Sequence, residues 1–229
     1  MLHGFLPSLI EGAGTTLSVA ICSLIIAVAL GLMGAMMKLS RSRSLRILAT
    51  VYTTVVRGVP DLVLMLLIFY GGQLAINEIS TRLGVKSVID INPFVAGVVT
   101  IGFIFGAYLT ETFRGAMMAV PSGQREAGIA YGMTSGAVFS RIVFPQMVRF
   151  ALPGFTNNWL VLVKSTALVS VIGLSDMMSR AGLAAGTTRE PFTFYVAVAV
   201  LYLLITTASV LLLKALERRY SMGVKAAAL

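Results

Sequence analysis

Charge is scarce in this sequence, and negative charge is scarcest. Of 229 residues only 12% are Asp, Glu, Lys or Arg, and nine are acidic, whereas a soluble domain carries about 25% charged residues. The 57% of residues that are hydrophobic exceed what one core of this size encloses, so an ordinary soluble globule is excluded. One cysteine, Cys22, lies in an apolar run, which rules out a disulfide framework and a clustered thiol site. The single histidine, His3, reads as a surface group. With so few of the common ligands no metal is expected, and a membrane-embedded metalloenzyme is disfavoured. The phosphate-binding pattern Gly-x-x-x-x-Gly-Lys-[Ser/Thr] does not occur, which excludes a nucleotide site of that type. There is no internal repeat and no low-complexity segment, so neither a solenoid nor a disordered tail is indicated.

What the chain has in abundance is apolar length, with a mean hydropathy of +0.91. A membrane helix needs about 20 mostly apolar residues. Runs of that kind predict an all-α integral membrane protein with five spans at about 12–37, 47–77, 91–114, 152–174 and 191–213. The second contains Arg57, Pro60 and Asp61, and the fourth carries Lys164. The start, Met1 to Gly12, has no basic region and no small-residue cleavage pattern, so the first span is expected to stay in the mature chain. The whole of 1–229 reads as one transmembrane domain with a loop over 115–151.

The net charge of +9 would suggest nucleic acid in a soluble protein; here it records loops kept on one side. Lys38, Arg41, Arg43, Arg46, Arg57, Arg114, Arg125, Arg141, Arg149, Lys214, Arg218, Arg219 and Lys225 fall on one side of the five spans. Arg82, Lys86, Arg180 and Arg189 fall on the other, near Glu78, Asp90, Asp176 and Glu190. The positive-inside rule then puts the N-terminus outside and the C-terminus inside. Nucleic acid is not an expected partner; membrane lipid is.

The long inner loop is neither polar nor low in complexity, and loops of that length are usually functional. Pro121 is a natural boundary, Ser122 a candidate N-cap and Gly132 a stop. Thr134 or Ser135 can cap a second short helix ending before Pro145. Such a pair either lies on the membrane surface or docks into a partner.

Glu126-Ala127-Gly128, three residues, Gly132, nine residues, Ile142, one residue, Phe144-Pro145 resembles the EAA loop of binding-protein-dependent ABC importer permeases. The spacing matches throughout, with Gly128 in place of Ala and Phe144 in place of Leu. The stretches Arg57-Gly58-Val59-Pro60 with Asp61 to Gly71, Gly106 to Gly115, Asn157-Asn158-Trp159 and Lys164 to Leu168 extend the likeness. Across essentially the whole chain it is similar to the polar amino-acid permeases, in particular those of histidine/lysine/arginine/ornithine importers, with relatives that carry opines. The resemblance implies a type I ABC importer permease fold in the bacterial inner membrane, a transport subunit rather than an enzyme, and alternating access. It implies as partners a paralogous M-type permease, a dimer of ATP-binding subunits that use ATP and Mg, and a periplasmic amino-acid-binding protein. The loop around Glu126, Ala127, Gly128, Gly132, Ile142 and Pro145 would dock on the ATPase and carry its motion inward. Glu126 would anchor it by capping a helix start or pairing with a basic partner residue; otherwise it only stabilises a first turn through the helix dipole.

Polar residues at membrane depth are candidates for the substrate path. A charge there costs at least about 2.5–3.5 kcal/mol, so Lys164 must face a cavity, a bundle interior or a partner. Asn157 and Lys164 are seven apart, as are Asn158 and Ser165, which makes a polar stripe two turns long continued by Thr166. The stripe either meets the substrate α-carboxylate or only ties helices together. Asp61 and Glu111 are candidates for a cationic side chain. Alternatively they pair as Arg57 with Glu111 or Asp61 with Arg114 and close an inner gate, with Pro60 kinking its span. Asp61, Glu111 and Lys164 would form the relay of an ion-coupled carrier, a rival that leaves the loop pattern unexplained. Met33, Met36, Met37, Met117 and Met118 read as packing near the inner helix ends.

Overall fold

A computed structural model describes residues 4–84 and 88–221, with backbone alone for 219–221. His3, Lys86 and Lys225 lie outside the described residues. The described chain is all helical: α1 (Leu6–Leu39), α2 (Arg43–Gly58), α3 (Asp61–Arg82), α4 (Pro93–Met118), α5 (Ser122–Ala130), α6 (Ser135–Val138), α7 (Phe144–Ser165), α8 (Met177–Thr188) and α9 (Pro191–Ser221). Five of its helical segments are long and apolar enough to cross a membrane. Asn92 caps α4 by accepting from the Phe94 N–H at 2.8 Å, and Pro93 occupies the first turn, where a missing N–H costs nothing.

Helix α4 is the axis of the bundle, with 67% of its membrane-length window buried against 6% for α9. It lies against α1 through reciprocal notches. A Cβ on Gly31 would stand 2.7 Å from Leu109 Cβ, and one on Gly34 would collide with Thr110. On the facing helix, a Cβ on Gly102 would meet Ile26 at 2.7 Å and one on Gly106 would meet Leu30 at 2.8 Å. Hydrocarbon gives helices no hydrophobic drive to associate, so close approach through small residues supplies the packing instead.

The second expected span is interrupted. Val59 and Pro60 are extended, with ψ of 138° and 136°, because proline has no N–H for the ladder and disfavours helix in the residue before it. Pro60 therefore separates α2 from α3 rather than kinking one helix. The Tyr52 hydroxyl donates to the Phe103 carbonyl at 2.6 Å, so α2 rises beside α4 to mid-helix before the break.

The helical segment that carries the fourth expected span starts earlier than that span. The short helix α6, beginning at Ser135, does not stop the helical path before Pro145: it runs through a π turn at Phe139–Val143 into α7 and on through a 3₁₀ turn to Ile172. The Phe144 N–H reaches back five residues to the Phe139 carbonyl, and this widened turn carries the helix past Pro145. Helix α8, unanticipated in the sequence, is too short to span; it packs on α1 so closely that a Cβ on Gly12 would sit 2.8 Å from the Met177 Cα.

Candidate functional site

Two regions carry the residues singled out from the sequence. The first is the α5–α6 loop. Gly132, at φ 80°, ends α5: its N–H donates to Ile129 O at 2.9 Å and the Met133 N–H to Gly128 O at 3.0 Å, which together close the helix end. Thr134 caps α6 by accepting from the Ala137 N–H at 3.3 Å. Ser122 is the first residue of α5 and supplies no cap. Val120, Val138 and Val143 form a small core of the loop's own, backed by Met133 and Phe139. Gly128, the buried residue of α5, faces Ile142. Glu126, Ala127 and Pro145 are exposed. Glu126 stands in mid-helix and makes no ion pair among the described residues, so it does not act on the first turn. The result is a short helix closed at its C-terminal end and seated on a small core, with an open outer face.

The second region lies at membrane depth. Lys164 is exposed, at the meeting of two cavities of about 510 and 320 Å³ between α7 and α9, where Tyr202 and Thr206 also line the wall. Asn157 is exposed, with no hydrogen bond among the described residues. Asn158 is occupied: its side-chain amide donates to Thr112 Oγ1 and to Gly154 O, both at 2.9 Å, tying α7 to α4. Thr166 is buried, donates to Val163 O at 2.7 Å and stands 3.5 Å from the Tyr202 hydroxyl. Ser165 is half-buried beside it. Pro153, inside α7, leaves that helix one N–H short of a full ladder just below the stripe.

The acidic candidates are separated. Glu111 binds Lys38 of α1 through one oxygen and Arg114 through the other, the latter at 2.9 Å. The guanidinium of Arg57 lies 5.4 Å from the ring centroid of Tyr108. Neither of the pairs weighed from the sequence, Arg57 with Glu111 or Asp61 with Arg114, is formed among the described residues, where Glu111 is taken by Lys38 and Arg114. Lys38 reaches Glu111 because the glycine notches bring the C-terminal ends of α1 and α4 within one side chain's length, a contact across 73 positions. Among the described residues no three His, Cys, Asp or Glu side chains converge on a metal position.

Asp176, read from the sequence only as a loop charge, is a fully buried residue whose Oδ1 accepts from the Ser179 N–H at 2.9 Å and caps α8. Its Oδ2 has no partner among the described residues, and burial pushes the carboxyl above its usual range against the pull of the capping N–H groups. The Met177 N–H beside it donates to Thr16 Oγ1 at 3.3 Å, fixing α8 to α1.

Five apolar segments of membrane length around a notched helix pair, with a helical loop at one end, define a multi-pass membrane protein. The chain belongs to the family of binding-protein-dependent transport system inner membrane components, whose pattern matches residues 27–222. It is 56% identical over 227 residues to the histidine/lysine/arginine/ornithine transport system permease protein HisQ of Escherichia coli (strain K12), covering 99% of each chain. It is 39% identical to the octopine transport system permease protein OccQ of Rhizobium radiobacter, covering 98% of this chain and 97% of that one. Among solved structures it resembles an amino acid ABC transporter crystallised with histidines, with a TM-score of 0.79 and 32% identity over 94% of this chain and 95% of that one. A methionine transporter, MetNI, in an inward-facing form shares the fold at a TM-score of 0.77 and 18% identity, over 96% and 99% of the two chains. The fold is thus the all-α, five-span architecture expected. The chain is an inner-membrane transport subunit and not an enzyme, and its family works with an ATPase and a binding protein.

Proposed function

We propose that this chain is the Q-type permease of an ATP-driven importer of basic amino acids, histidine, lysine, arginine and ornithine, paired with a paralogous M-type permease. The observation that carries the substrate class is the 56% identity to HisQ over nearly all of both chains, against 39% to the octopine permease. In this reading the N-terminus is outside and the C-terminus inside, supported by the concentration of Lys and Arg on the α5 side. The partner ATPase binds ATP and Mg, and closure of its dimer moves α5.

Glu126, Ala127, Gly128, Gly132, Ile142 and Pro145 form the coupling element. Support comes from its geometry: a helix stopped at Gly132 and seated on its own small core passes on a rigid displacement that a loose loop would absorb. Lys164, at the cavity wall, attracts the α-carboxylate, with Asn157, Ser165 and Thr166 above and below it. Asn158 positions α7 through Thr112. Asp61, beside the break at Pro60, is the remaining acidic candidate for the cationic side chain, with Arg57 as its neighbour. Glu111 and Arg114 hold the inner end of the bundle shut to movement between α1 and α4.

The test uses proteoliposomes holding this chain, its M-type partner, the ATPase and a periplasmic binding protein. Arginine or histidine uptake is expected to require ATP and the binding protein, and to collapse in Glu126→Lys while the complex still assembles. Uptake without ATP, indifferent to that change, would transfer the assignment to an ion-coupled carrier.

A further inference from the structure

A cavity of about 540 Å³ lies behind α5, between that helix and the inner ends of α1 and α4. Its apolar wall includes Met36, Leu39, Met117 and Met118; its polar rim is Arg125 with the hydroxyls of Ser122 and Ser135. Arg125 is the charged residue in that lining, and no acidic side chain joins it. Among the described residues Arg125, Ser122 and Ser135 make no hydrogen bond through their side chains, so a guanidinium and two hydroxyls stand open over a flexible, methionine-rich floor.

We propose that this groove binds the headgroup of an anionic glycerophospholipid. The chemistry fits at both ends. A guanidinium offers paired N–H donors matched to a phosphate, and neighbouring hydroxyls supply single donors. Methionine walls adapt to the first methylenes of an acyl chain. The level fits as well, because the cavity sits where α1 ends at Leu39 and α4 at Met118, the depth at which a headgroup meets helices leaving the hydrocarbon.

The groove is distinct from the surface offered to the ATPase. Ser122, Arg125 and Ile129 fall at i, i+3 and i+7 and share one face of α5, while Glu126 lies about 100° further round and is not part of the lining. A lipid seated there packs behind the coupling helix and rides between it and the bundle. That consequence rests on reading α5 as the coupling element; the binding itself does not.

The test is photolabelling of the assembled permease and ATPase complex in nanodiscs, without nucleotide turnover. Phosphatidylglycerol and phosphatidylcholine carrying a diazirine near the glycerol are compared, and the adducts are mapped by peptide mass. Phosphatidylglycerol adducts are expected on Met117, Met118 or Ile129, falling about fivefold in Arg125→Gln and retained in Arg125→Lys. Met118→Trp, which fills the groove and leaves the charge, should also remove them. Equal labelling by both lipids, adducts that ignore Arg125→Gln, or labelling of ATPase peptides by a photoprobe placed at Ser122 would each overturn the assignment. Because the readout is binding, a failure of Glu126→Lys to abolish uptake would leave it untouched.

Discussion

A Cβ placed on Gly128 would stand 2.8 Å from Cδ1 of Ile142 and 3.0 Å from Cγ2 of Val138. Two residues of the loop motif, far apart in sequence, thus meet where α5 rests on the π turn leading into α7. The neighbouring atoms are the ends of side chains, one of them flexible, so the site accepts a methyl group at small cost and nothing larger.

Gly128→Ala is therefore expected to retain uptake with a stability change under about 1 kcal/mol, and Gly128→Leu to lose about 1–3 kcal/mol through overpacking. Ile142→Val should relieve part of the Ala penalty. A double-mutant cycle on thermal denaturation of the complex checks this: additive values would mean the two side chains do not press on each other.

Glu111 holds two cations from two directions. Its side chain is 22% exposed and that of Lys38 12%, so water screens the cluster only in part. Lys38→Met leaves Glu111 paired with Arg114 and is expected to cost about 1.5–3 kcal/mol, the loss of one charge-assisted hydrogen bond in a mostly buried setting. Glu111→Lys brings three cations together and should prevent assembly, with the exchange Lys38→Glu, Glu111→Lys restoring it partly. Denaturation midpoints in detergent at two salt concentrations measure both; an unaltered midpoint in Glu111→Lys would show that the bundle end is not held by this cluster.

Composition made the helices legible and hid the joints between them. The five spans follow from apolar length alone, and the loop helix from Pro121 and Gly132. The Lys38 to Glu111 pair could not be read, because it depends on how deeply Gly31, Gly34, Gly102 and Gly106 let α1 into α4. Helix α8 was hidden for another reason: its small residues and Arg180 give neither a charge-free run of membrane length nor a clean amphipathic period. The continuous passage from α6 to α7 was masked by Pro145, which reads as a stop unless the preceding turn widens to π form.

The two adjacent asparagines should separate under mutation. Asn158 is committed to Thr112 and Gly154, so Asn158→Ala is expected to lower stability by about 0.6 kcal/mol with little change in the KM for uptake. Asn157 is exposed on the face leading toward Lys164, so Asn157→Ala should leave stability alone and raise KM. Uptake kinetics and melting of the same two preparations decide it, and the reverse pattern would remove Asn157 from the substrate path.

Asp176 gives the pH dependence. Burial raises its carboxyl above the usual carboxylate range, so in the folded chain the proton is held more tightly than in the unfolded one. The contribution to stability is then fully present below the unfolded value of about 4, and is lost as pH rises through the folded value. Asp176→Asn keeps an oxygen to accept from the Ser179 N–H and places an uncharged NH₂ where Oδ2 has no partner. The variant is expected to melt higher than wild type at neutral pH, with the difference shrinking as the pH falls toward 4. Asp176→Ala loses the cap as well and should cost about 1 kcal/mol relative to Asn. Melting curves of the detergent-solubilised complex across that range check the sign: a wild type that gains stability on Asp176 ionisation would mean that a cation or ordered water meets Oδ2 in the assembled importer.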